Sequence, residues 1–179
     1  MKARDICLVA LMSASITAGK MALAALPNIE IVTLLFVVYT LSLGWKRTFL
    51  SSIVFVMTET IIWGFGSWVL LYFVYWPSLV CLVGLCAKGR YRVLIAVAIG
   101  IVMTVFFGVL STFIELSFMG AWQTGNFWLS YKYRYISGAP FFLTHIACNT
   151  IALPCLVFPL AKLISKINRA NATAKITKE

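Results

Sequence analysis

Six residues able to carry charge or hydrogen-bond strongly stand in or at the edge of apolar runs: Lys20, Glu30, Glu59, Glu115, His145 and Asn149. A polar or charged group in hydrocarbon is costly, so it normally faces a partner or a wet cavity and marks a functional site. His145 and Asn149 are four residues apart, which puts both on one face of a helix. The three carboxylates suit a cationic or N–H-bearing ligand group, whereas Lys20 suits an acid. Trp63, with Trp68, Tyr72 and Trp76 nearby in sequence, adds flat surfaces on which a ring could stack. The same residues allow plainer roles. Lys20 could pair with Glu30 or Glu59 and only fix helix packing, and the aromatic rings could form a belt at a membrane interface.

The chemistry this set offers is binding rather than catalysis. The chain has no HExxH, no GxSxG and no phosphate-binding loop. No enzyme activity is therefore predicted, and active transport would need a partner or an ion gradient. One histidine with Asn149, and no cysteine at ligand spacing, makes no metal site, and no cofactor is expected. Cys7, Cys81, Cys86, Cys148 and Cys155 form no CxxC pair and are expected to be small buried hydrophobes, not a disulfide frame.

The elements that position these residues are set by composition. Hydrophobic residues make up 62% of 179 and charged residues 11%, and the mean hydropathy is +0.97. A soluble domain holds roughly 45–50% apolar and about 25% charged residues, so the expected solvent is a lipid bilayer. Six apolar segments follow one another: 6–26, stopping at Pro27-Asn28; 29–43; 48–65; 68–87, with Pro77 inside; 93–118; and 140–164, with Pro154 and Pro159 inside. The second is short for a span. A polar, aromatic connection covers 120–138, and 165–179 reads as a basic tail, disordered toward its end. The basic start resembles a signal peptide, but the first run is too long for one and reads as a retained helix. The fold class is thus an all-α integral membrane protein, a single domain over 1–164 with a cytoplasmic tail.

Lys and Arg set the orientation. With the N-terminus inside, twelve of the fifteen basic residues fall on inside segments, and only Lys132 and Arg134 fall outside. The alternation holds at every loop, which predicts an even number of spans and both termini cytoplasmic in a multi-pass membrane protein. The net charge of +10 then reflects topology rather than nucleic-acid binding. In this orientation Lys20, Glu30, Glu59, Glu115 and His145 share the outer level, which predicts a cavity open to the outside. The first segment repeats Ala10, Ala14, Ala18 and Ala22, a smooth stripe against which another helix can pack closely.

In the last segment Gly138-Ala139-Pro140-Phe141-Phe142-Leu143-Thr144-His145, followed by Asn149, resembles the final helix of substrate-binding S components of energy-coupling factor (ECF) vitamin transporters. The family pattern is roughly Gly-x-Pro-Phe-Asp-x-x-His-x-x-x-Asn, and Phe142 stands here in place of the Asp. The alanine stripe also resembles the family's AxxxA surface, and the length and six spans fit along the whole chain. The resemblance implies a prokaryotic membrane subunit that captures a vitamin or precursor from outside, with His145 and Asn149 in the pocket. It implies docking through Ala10, Ala14 and Ala18 onto a membrane coupling subunit driven by two cytoplasmic ATPases. Two other classes stay open: a stand-alone channel or secondary carrier, and a small membrane enzyme or assembly factor.

Overall fold

The computed structural model describes residues 3–26 and 29–176. Among them there are six α-helices and no strand: α1 (Ala3–Ala22), α2 (Val32–Leu43), α3 (Trp45–Trp63), α4 (Ser67–Cys86), α5 (Arg92–Phe118) and α6 (Phe127–Ile176), with a 3-10 turn at Ala121–Thr124 before α6. The breaks fall where backbone chemistry demands them. Gly44, at φ +96°, is the single residue between α2 and α3, and Gly64, at φ +82°, ends α3. Both angles are cheap only for glycine.

The helices form one bundle with α2 at its centre, packed against each of the other five. α2 is apolar all round, the mark of a helix enclosed by protein, and Phe36, Val37 and Val38 are completely buried. Phe36 packs edge-on to Phe55 of α3 at 5.7 Å and against Trp76 of α4 at 5.5 Å. The α5–α6 contact depends on small residues. Gly100, Thr104, Gly108 and Thr112 recur every four residues and are buried. A Cβ on Gly100 would come within 2.7 Å of Leu153, and one on Gly108 within 2.7 Å of the Phe142 ring. Only a bare backbone allows α6 to approach so closely.

The outside of the bundle is apolar: Ile61, Leu94, Val102, Ile151 and Phe158 are all exposed. Apolar surface on this scale marks contact with lipid or partners rather than water. α1, α4, α5 and the Phe127–Asn168 part of α6 are each long and apolar enough to cross a membrane. α3 has 19 residues but carries Lys46, Arg47 and Glu59. α2 has 12 residues, about 18 Å at 1.5 Å per residue, and is shorter than a hydrocarbon core.

The structure differs from the sequence reading at three places. The connection predicted for 120–138 is mostly helix: after the turn bracketed by Gly120 and Gly125, both at positive φ, α6 begins at Phe127. Aromatic stacking steadies that junction, with Trp122 and Phe127 parallel at 3.7 Å and Tyr131 stacked on Tyr135 one turn later. The stretch read as a separate tail from 165 continues α6 as far as Ile176, because no glycine or proline follows Pro159. Arg4 of α1 donates to Asn168 at 2.7 Å, tying this end of α6 to the bundle. Finally, the cysteines are not interior residues. Cys7, Cys86 and Cys155 are exposed on the apolar surface, Cys81 and Cys148 are half-buried, and none is in a disulfide. The stop proposed at Pro27-Asn28 lies outside the described residues.

Candidate functional site

Because successive helices alternate in direction, one end of the bundle gathers the ends of α1, α3 and α5 and the starts of α2, α4 and α6. A cavity of about 330 Å³ opens there. Lys20, Glu30, Trp63 and His145, all singled out in the sequence, line it. Tyr72 and Trp76 of α4 and Phe107 of α5 supply its aromatic wall.

Two polar clusters build the cavity. The first centres on Glu30, just before α2. Its carboxylate accepts from the Thr33 backbone N–H at 2.9 Å and the Thr33 hydroxyl at 2.6 Å. It also faces His145 Nε2 at 3.0 Å and accepts from Asn149 Nδ2 at 2.9 Å. The free N–H groups and dipole at a helix start favour a negative group there. Asn149 Nδ2 lies 3.2 Å from the Thr104 hydroxyl, which itself donates to the Gly100 carbonyl at 2.8 Å. The network thus joins α2, α5 and α6. His145 is buried, and its ring meets Phe107 edge-on at 4.9 Å. Asn149 is fully buried and sits behind Glu30 rather than on the cavity wall.

The second cluster is the Lys20–Glu59 ion pair between α1 and α3. The Glu59 side chain is 0% exposed and that of Lys20 28% exposed, so the ammonium borders the cavity while its partner lies behind. Lys20 Nζ also sits 5.1 Å from the Tyr72 ring centroid and 5.7 Å from that of Trp68, within cation–π range. Among the described residues Glu59 Oε1 has no hydrogen-bond partner, and neither has the buried indole N–H of Trp76. Trp63 is exposed and stands at the mouth.

Glu115 is not brought to this cavity. It pairs with Arg134 of α6 in a separate groove that also holds Ser137 and Phe142. Phe142, the departure from the S-component pattern, fills the contact between Gly108 and Gly138 and stacks on Tyr135 at 5.4 Å. It packs helices and carries no polar role. Thr33, Thr104 and Phe107 belong to the site but were not singled out in the sequence. Thr33 had a signal, a hydroxyl three residues after a carboxylate at a helix start, the spacing at which side chains cap helices.

Ala10, Ala14 and Ala18 all lie exposed on α1, opposite the buried Met12 and Ile16. The stripe therefore faces away from the bundle. No family model matches the chain, and no curated protein or solved structure matches it either.

Proposed function

We propose that the chain is a six-span membrane protein with both termini cytoplasmic, acting as the substrate-capturing S component of an ECF-type vitamin importer. The observation that carries this reading is the cavity at one end of the bundle. Its size lies at the lower end of the range for small-molecule sites, and it combines an aromatic wall with a few fixed polar groups. Two residues of the helix-six resemblance, His145 and Asn149, both reach the Glu30 carboxylate at its edge.

Three further features support the reading. Lys46, Arg47, Lys88, Arg90, Arg92, Lys162 and Lys166 fall at the bundle end opposite the cavity, so the positive-inside bias turns the cavity outward. α2 and α3 complete the six spans: α2, too short to face lipid across a whole core, is enclosed by the other five helices, and α3 packs against α1 and α4 with Glu59 buried against Lys20. The alanine stripe is exposed and smooth, as docking onto a coupling subunit requires. The ligand is a ring-containing vitamin or precursor. It stacks on Trp76 or Tyr72 and bonds through His145, Glu30 or Lys20.

The test is mass spectrometry of the small molecule that co-purifies with the detergent-solubilised chain, together with uptake into liposomes. One vitamin-like compound per chain is expected, with uptake only when a coupling subunit and two ATPases are present. Uptake by the chain alone would favour a stand-alone channel or carrier. Ala14→Trp is expected to spare binding and reduce uptake. Intact uptake by that variant would remove α1 as the docking surface.

A further inference from the structure

The chain has five acidic residues: Asp5, Glu30, Glu59, Glu115 and Glu179. The four that are described each face a basic partner: Asp5 with Arg47, Glu30 with His145, Glu59 with Lys20 and Glu115 with Arg134. At the bundle end opposite the ligand cavity, a second cavity of about 380 Å³ lies between the start of α5 and the later part of α6. Arg92, Lys162, Ser165 and Lys166 line it, over a floor of Val93, Ala161 and Phe158. Arg92 is the first residue of α5, and Lys162 and Lys166 are one turn apart on α6. None of these three cations pairs with a carboxylate among the described residues.

Three like charges around one groove repel each other, and an anion among them relieves that repulsion. The described acids are each already paired elsewhere, so among the described residues no carboxylate fills that place. The donor set fits a phosphate group. A guanidinium can grip two oxygens at once, lysines add point charges, and Ser165 offers a hydroxyl. The start of α5 adds the positive end of its backbone dipole. The floor decides the source. Phe158 is exposed on the apolar surface, and the Lys162 ammonium lies 6.0 Å from its ring centroid. The site is thus cationic at one end and greasy at the other, as a phospholipid is.

We propose that this α5–α6 groove binds the phosphate headgroup of an anionic phospholipid, with an acyl chain lying over Val93 and Phe158. Basic pockets between helices at the cytoplasmic face suit such headgroups. The proposal rests on membrane residence and on the orientation given above, and is independent of the ligand in the other cavity.

The test uses the full chain in neutral detergent, with native mass spectrometry against phosphatidylglycerol, phosphatidylcholine and soluble glycerol phosphate. One phosphatidylglycerol per chain is expected, retained at least about tenfold better than phosphatidylcholine. Arg92→Gln/Lys162→Gln/Lys166→Gln is expected to fall to the phosphatidylcholine level with unchanged helicity, and Lys166→Gln alone to lose several-fold. Lys46→Gln, at the same end but outside the groove, should bind as the unaltered chain does. Equal retention of both lipids, or full retention by the triple variant, overturns the proposal. Equal binding of soluble glycerol phosphate overturns the lipid as the source. Recovery of the chain from cells without detergent would instead overturn membrane residence, and the lipid proposal with it.

Discussion

Glu30 and Glu115 lie toward the same end of the bundle, both at the boundary of an apolar run, yet they do different work. Glu30 borders the cavity and gathers groups from α2 and α6: Thr33, His145 and Asn149. Glu115 holds one exposed arginine in a side groove, with Arg134 56% exposed. Depth along the bundle axis does not by itself make a site residue. What separates the two is the number of elements that converge on each carboxylate, and how far water is excluded from it. Glu59 resembles Glu30 in the exclusion of water, since it is wholly buried, and Glu115 in meeting a single cation.

The largest effect is expected at that buried pair. Lys20→Met leaves the Glu59 charge uncompensated and should cost about 3–5 kcal/mol, read as a lower thermal midpoint in detergent. Lys20→Met/Glu59→Gln should regain most of that loss, because a neutral pair leaves no buried charge. If the single variant is as stable as the unaltered chain, the pair is wetter than its burial indicates. Glu30→Gln weakens charge-assisted bonds to His145 and Asn149, which are worth about 1.5–3 kcal/mol each. The expected result is a stability loss of about that size together with loss of ligand retention. Gly108→Leu should cost about 1–3 kcal/mol by overpacking, since its Cβ would start 2.7 Å from Phe142. Adding Phe142→Ala should relieve part of it. Glu115→Gln should change stability by about 1 kcal/mol or less and leave ligand retention untouched. A larger effect on retention there would erase the distinction between the two carboxylates.

Much of this was legible in the sequence for physical reasons. The helix breaks at Gly44, Gly64 and Gly66 could be read because glycine punctuation is local. The convergence of Lys20, Glu30, Trp63 and His145 could be read because alternating helices return polar groups of equal depth to one end. What could not be read was lateral position. Depth counting put Glu115 beside the others, but rotation about the α5 axis sends it to Arg134 instead. The two small-residue stripes show the same limit. The α1 alanines stand out in the sequence, and they face outward. The Gly100–Thr104–Gly108–Thr112 stripe mixes glycine with threonine and stands out less, yet it packs inside the chain. A four-residue spacing specifies a smooth face and not the helix that covers it. The full length of α6 is hidden in the sequence because Lys132, Arg134 and the tyrosines between 131 and 135 have the polar, aromatic composition of a connection, whereas the one-turn stacking of Tyr131 on Tyr135 accompanies a continuous helix.

The most direct test of the central claim is ligand binding by the folded chain in detergent, measured across a panel of vitamins and their precursors. One ring-containing compound is expected to bind at about one per chain, to be lost in His145→Ala and to be kept in Glu115→Gln. If no compound binds the folded chain, or if binding survives His145→Ala unchanged, the cavity between Lys20, Glu30 and His145 is not a vitamin site.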